Sequence, residues 1–180
     1  MTVSELILGE ARRAKLSQFG FPDPFIQALD EAPSDPITGR VVASSGEVLA
    51  ELLDIPGVGD ALPPGRVVPV CHKEESQLAY YLLIEGEGAG PELVYWEPAA
   101  TEPVGSALAF MTELVIEAFE GDLLEGEGLE PHQERARLGA WADRIGHPAG
   151  ARLVAELYAM IGTDQSAHSP TWRERFLASI

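Results

Sequence analysis

Apolar residues alternate in short runs through the middle of the chain and recur at helical spacing on either side, which predicts an α+β fold. Val67 to Cys71, Leu78 to Glu85 and Glu92 to Trp96 are dense in β-branched and aromatic residues, as strands are. The linkers are short. Lys73 to Gln77 is charged, and Gly86 to Pro91 carries the Gly and Pro that hairpin loops need. An antiparallel meander is therefore expected. Upstream, Thr2 to Phe19 reads as a helix opened by a Thr2/Glu5 capping box, with Val3, Leu6, Ile7 and Ala14 near helical spacing and Gly20 ending it. A shorter helix follows, with Asp23 as N-cap, Pro24 at the first position and Phe25, Ile26 and Leu29 on one face. Arg40 to Ala43 is a candidate strand. Ser44 and Glu47 form a second capping box ahead of Val48, Leu49, Leu52 and Leu53, and Pro56-Gly57 closes that helix.

Downstream of the meander, Ser106 caps a helix through Phe119 whose buried stripe is Ala107, Met111, Leu114, Val115 and Ala118, with Glu113, Glu117 and Glu120 pointing away. Pro131 to Ile145 and Pro148 to Ile161 read as an αα-hairpin joined by Gly146-His147, the second helix striped by Leu153, Val154, Leu157, Tyr158 and Ile161. A last helix after Ser169-Pro170 sets Trp172, Phe176 and Leu177 on one side. The expected architecture is a mainly antiparallel sheet of four or more strands with helices packed on one side, in residues 1–125, followed by a C-terminal helical extension in 126–180. The tetrapeptide Glu-Gly-Glu-Gly occurs at 85–88 and 125–128, but no longer self-similarity surrounds it, so no internal repeat is inferred.

Charge sharpens this picture. The chain holds 29 acids against 12 bases in 180 residues, a formal charge of -17. Residues 72–130 carry 14 acids and the single base Lys73, whereas residues 131–180 are nearly balanced, with 5 acids and 6 bases. Duplex binding depends on cations that neutralise phosphates, so nucleic acid is excluded as the expected ligand, and anionic membrane surfaces likewise. The field of such a chain favours encounter with a basic protein. Glu113 and Glu117, four apart on one helix, repel each other by a few tenths of a kcal/mol. A cationic partner or plain solvation would relieve this. The lone Cys71 forms no internal disulfide, the first residues lack the pattern of a signal peptide, and no apolar run reaches the ~18 residues of a membrane span, so a cytoplasmic location is expected.

Motifs that would carry chemistry are incomplete. Cys71 and His72 are neighbours on a strand and project to opposite faces, which precludes a thiol-imidazole dyad. His72 and Glu74 match the opening of a zinc deaminase signature, but the Pro-Cys-x-x-Cys that completes the metal site is missing. His132, His147 and His168 are too far apart for a ligand motif on one helix, and His147 reads as a cap or turn residue. The acidic loop Asp122 to Glu130 lacks the ligand ladder of a calcium loop. No phosphate loop, dinucleotide turn or nucleophile elbow occurs. No catalytic residue, metal or cofactor is predicted.

With these residues in view, the chain resembles the SUKH superfamily, which includes bacterial immunity proteins that neutralise polymorphic toxins and a yeast cell-wall regulator. Phe19-Gly20-Phe21-Pro22 followed by Phe25, Ile26 and Leu29 is similar to the Gly, Leu-Pro and aromatic helix near the family's start. Val68 to Cys71, Tyr80 to Leu83 and Gly90 to Trp96 resemble its three central strands, and Ser106 to Met111 its closing Ser-capped helix. The resemblance covers about residues 5–120. It departs at Ala32 to Asp35, where many members carry Asn-Gly-Gly, and at Ser76-Gln77, where Gly-Asp is usual; the helices beyond 130 have no counterpart. It implies a protein that blocks other proteins, with no common catalytic residues to carry over.

The expected function is thus a non-enzymatic protein-binding module, an immunity protein that neutralises a basic toxin such as a nuclease. The expected partner contacts are Glu74, Glu75, Glu85, Glu87, Glu92, Trp96 and Glu97, with Trp96 read either as an interface anchor or as a strand-end residue folded over the core. Two alternatives stay open: a small metal-dependent hydrolase using scattered His and acidic residues, and an acidic chaperone or assembly factor that forms a homodimer through its C-terminal helices.

Overall fold

The computed structural model describes residues 4–30, 37–43, 61–73, 79–86, 88, 90–121, 124 and 127–180; the side chains of 40–43 and 73 are outside that description. The chain divides into two compact units, Met1–Ala107 and Leu108–Ile180. The division falls earlier than the expected boundary at residues 125/126, because the helix after the meander joins the C-terminal helices.

The first unit is built on a six-stranded sheet. Its strands are β1 (Glu5–Leu6), β2 (Val42–Ala43), β3 (Arg66–Lys73), β4 (Tyr80–Glu85), β5 (Glu92–Glu97) and β6 (Ala100–Gly105). The order is β1-β3-β4-β5-β6, with β2 also on β3. All pairings are antiparallel except β1 with β3. The expected meander is β3-β4-β5, and the fold is α+β. The sheet gains a strand that the residue pattern does not announce, since Ala-Thr-Glu-Pro-Val-Gly has little strand propensity and contains a proline. Proline is tolerated on an edge strand, and β6 is the edge.

The N-terminal helix is shorter than expected. Glu5 and Leu6 are extended and pair with Arg66 and Val67, and the Glu5 and Ile7 N–H groups donate to Gly65 and Val67 carbonyls at 2.9 Å. Pairing on the open edge of β3 wins over the capping-box reading, so α1 runs only from Gly9 to Phe19; Thr2 and Val3 lie outside the described residues. Helix α2 (Asp23–Asp30) buries Phe25, Ile26 and Leu29 as expected. The candidate strand at Arg40 opens instead as a helical turn, α3 (Thr38–Val41), before β2. The predicted helix from Ser44 to Leu53 lies outside the described residues.

Pro69 sits in the middle of β3, where it removes a ladder donor. On that side of the strand β1 pairs only with Arg66 and Val67, and β2 only with His72 and Lys73. The gap is filled by buried Arg12 of α1, whose Nε and Nη2 donate to the Pro69 and Val70 carbonyls at 2.6 and 2.8 Å. Asp30 of α2 receives Nη1 at 2.9 Å. One guanidinium thus substitutes for missing strand neighbours and ties both helices to the sheet. One face of the sheet packs Val67, Tyr80, Leu82, Ile84, Val94 and Trp96 under Leu62. Gly65 enters β3 at φ +126, and a Cβ there would lie 2.5 Å from the Glu85 carbonyl oxygen, so only glycine fits.

The second unit is helical: α4 (Ala107–Glu120), α5 (Pro131–Arg144), α6 (Gly150–Met160) and α7 (Pro170–Leu177). On α4 the predicted stripe is buried, and Phe110, Thr112 and Ile116 are buried with it. Helices α5 and α6 form the expected hairpin. Gly150 makes their close approach possible, since a Cβ at that position would meet the Ala142 carbonyl carbon at 2.6 Å. Leu153, Val154 and Leu157 are buried, whereas Ile161 is 65% exposed. The helix ends at Met160 and the backbone of Ile161 turns extended (ψ 125), which carries its side chain out of the stripe. Trp172 and Phe176 of α7 stack at 5.5 Å between ring centroids and are buried.

Candidate partner-binding surface

The sequence-predicted contacts separate into distinct environments. Glu74, Glu75 and Glu87 lie outside the described residues. Trp96 is 0% exposed, its ring in the core of the sheet and its Nε1 donating to the Ala61 carbonyl at 3.2 Å. Of its two readings, the one as a core residue holds. Strand alternation puts Trp96 on the face of its partners Tyr80 and Thr101, beneath Leu62 and Ala61, rather than beside Glu97. Glu85 is half-buried, and the Lys15 ammonium lies 2.8 and 2.9 Å from its two carboxylate oxygens. It is an internal ion pair, not a vacant acid.

Glu92 and Glu97 open and close β5 on opposite faces of the sheet, and β6 places a third acid on the face of Glu97. Glu102 of β6 stands opposite Tyr95, the neighbour of Glu97 on the same face two residues away. Glu92 and Glu102 are exposed and Glu97 is half-buried, accepting a hydrogen bond from the Tyr95 hydroxyl. None of the three forms an ion pair with a described residue. The cations of this unit whose side chains are described, Arg12, Arg13, Lys15 and Arg66, are each already engaged, with Asp30, Asp30, Glu85 and Glu5 respectively. Strands β5 and β6 contain no base at all. Among the described residues the sheet is therefore polarised, with its cations at the β1 and β3 side and carboxylates that hold no ion pair on β5 and β6.

Glu102 escapes a reading of the sequence because β6 does. The available signal is Glu97-Pro98-Ala99-Ala100, a two-residue turn that returns the chain along β5, with Glu97 and Ala100 paired across it.

The acids of the second unit are in a different position. Glu113, expected to point away, is half-buried and clasped by Arg173 of α7 through Nη1 at 2.6 Å and Nη2 at 3.0 Å. Arg173 also donates to the Ala167 carbonyl and to His168 Nδ1, and His168 Nε2 in turn meets Glu120 at 2.8 Å. Glu127 pairs with Arg137. Glu113 and Glu127, two acids of the base-poor run, are thus answered by arginines encoded after residue 131.

His147, read from the sequence as a turn residue, is also a core residue. It is 3% exposed, between Thr112 at 3.0 Å from Nε2 and the Ala149 N–H, which donates to Nδ1 at 3.1 Å. An acceptor at Nδ1 fixes the proton on Nε2, which donates to the Thr112 hydroxyl, and that hydroxyl donates to the Leu108 carbonyl at 2.8 Å. Burial pushes the His147 pKa down to about 4; Asp143 opposes the shift and Arg152 adds to it. In the first unit, burial pushes the Tyr80 hydroxyl up to about 12.

Cys71 and His72 pair with Tyr81 and Tyr80 respectively and occupy opposite faces of the sheet, and Cys71 is buried. Among the described residues no group of three or more His, Cys, Asp or Glu side chains converges to hold a metal ion. None of the described helices is long and apolar enough to cross a membrane. No family model matches the chain, and neither a curated protein nor a solved structure matches it.

Proposed function

We propose that this protein is a non-enzymatic binding module that receives a basic protein at the β5 and β6 end of its sheet. The observation that supports this most directly is the trio Glu92, Glu97 and Glu102, which makes no ion pair with any described residue while the neighbouring cations of the same unit are held by other acids. Carboxylates at both ends of β5 and on β6, with Glu97 and Glu102 on one face, project a negative field that steers a cationic surface and raises its encounter rate. The SUKH resemblance supports reading such a module as a cytoplasmic immunity protein, its partner a basic toxin such as a nuclease whose substrate site would be covered.

The test is association kinetics with the protein recovered by affinity capture from the native cell, or with the toxin-like product of an adjacent gene. The triple variant E92K/E97K/E102K slows association by about tenfold or more in low salt, and the difference shrinks as salt rises. A variant that associates as fast as the parent at low salt removes the proposal.

A further inference from the structure

Pro103 fixes the hydrogen-bonding phase of β6 and, with it, what the sheet's outer edge offers. Proline has no N–H, so Val94 and Pro103 form a pair that exchanges no hydrogen bonds. Alternation then makes Tyr95 and Glu102 a bonded pair, Trp96 and Thr101 an unbonded one, and Glu97 and Ala100 the bonded pair that closes the turn. Residues of unbonded pairs aim their backbone groups away from the partner strand. Thr101 thus turns its N–H and carbonyl outward, and Pro103 its carbonyl. Strand β6 is last in the sheet, and residues 100–103 are exposed. No backbone hydrogen bond joins Thr101 or Pro103 to a described residue outside the sheet.

We propose that the partner's contacting element is an extended basic segment that adds to this edge as a further strand, anchored by the backbone of Thr101. The inference rests on the acidic-surface reading above and specifies its partner. Ala100 and Glu102 share the face on which their opposites Glu97 and Tyr95 lie. A side chain of the added strand on that face stands beside Glu102, and one two residues away passes over the small Ala100 toward Glu97. Lys or Arg at alternate positions matches this spacing. A second copy does not: it would set Glu102 and Glu97 against their own kind with no base on either β5 or β6. Pro103 supplies an acceptor but no donor, so the bonded stretch is short and the charges are needed to hold the segment.

The experiment uses the full chain and a short synthetic peptide of alternating Lys and Thr, with two twins N-methylated either on every Lys nitrogen or on every Thr nitrogen. In a strand one of these two sets of N–H groups faces β6. One twin therefore binds about tenfold more weakly than the parent peptide, the scale of lost backbone hydrogen bonds, while the other binds like the parent. Loss in the Thr twin indicates an antiparallel addition and loss in the Lys twin a parallel one. Thr101→Pro removes the outward N–H with no change of charge and no lost bond to β5, and lowers peptide affinity by a similar factor. Should this variant misfold, the peptide twins still decide. Twins that both bind like the parent, with binding still abolished in E92K/E97K/E102K, overturn strand addition and leave the acidic-surface reading standing. Peptide binding indifferent to the triple variant overturns both, and a dimer of the free chain that Thr101→Pro dissociates overturns the basic occupant in favour of a second copy.

Discussion

The acids of α4 and those of β5 and β6 come from one base-poor stretch of sequence, yet they meet opposite circumstances in the folded chain. On α4, Glu113 and Glu120 are joined by a relay through Arg173 and His168. On the last two strands, Glu92, Glu97 and Glu102 have no described cation at all. The repulsion between Glu113 and Glu117 amounts to a few tenths of a kcal/mol, whereas a two-point Arg-carboxylate contact contributes up to about 1 kcal/mol even when partly exposed. The internal pairing therefore outweighs the repulsion, and α4 needs no outside cation. A run of like charge in sequence is not a patch in space; what matters is which of its members the rest of the chain answers.

The comparison predicts that polar groups in the second unit carry stability and those at the sheet's end do not. The largest effect comes from His147. Its unfolded pKa is 6.5 and its folded value about 4, so the unfolded state binds more protons throughout that window. Its contribution is present above pH 6.5 and is lost as pH falls through 4. It amounts to about 3 kcal/mol, because each pH unit between the two values is worth roughly 1.4 kcal/mol. Denaturant titrations across this range read by the fluorescence of Trp141 and Trp172, in a Trp96→Phe background, follow the decline. His147→Gln flattens it. A parent protein whose stability is level from pH 6.5 to 4 contradicts the buried neutral imidazole. Arg173→Ala comes next: it leaves half-buried Glu113 without its cation and costs about 1 kcal/mol, with Glu113→Gln in the same background restoring part of the loss. A double-mutant cycle with no coupling between the two positions would place Glu113 among the idle acids.

How far the sequence discloses this arrangement depends on the range of the interaction. The meander, α2, the α5 and α6 hairpin and the stripe of α4 are legible because their periodicity is local and their burial one-sided. The start of α1 is not, since Glu5 and Leu6 read as a helix until Arg66 and Val67 supply a strand to pair with. Strand β6 is held by its hairpin partner rather than by its own residues, so Glu102 goes unseen. The partner of Glu113 lies 60 residues away, a separation that no charge count along the chain can bridge. Trp96 and His147 show the same limit from the side of burial: an amphipathic residue can end a strand or sit in a turn and still be in the core.

The smallest effect on stability is expected at the acids of the sheet's end, and it bears most directly on function. Replacing Glu92, Glu97 and Glu102 together by Gln removes three charges that hold no ion pair with a described residue. The unfolding free energy should change by no more than about 0.5 kcal/mol, the range of ordinary surface substitutions. Relief of mutual repulsion favours the variant, and the weaker hydrogen bond from Tyr95 to a neutral acceptor at position 97 opposes it. A destabilisation above about 1 kcal/mol, beyond that surface range, would reveal an internal partner and erase the contrast with α4. If stability is kept, the neutral triple variant becomes the cleanest probe of the surface. It retains side-chain shape and the β6 backbone while removing the charge of these three acids, so a basic partner that still associates quickly must recognise something other than these carboxylates.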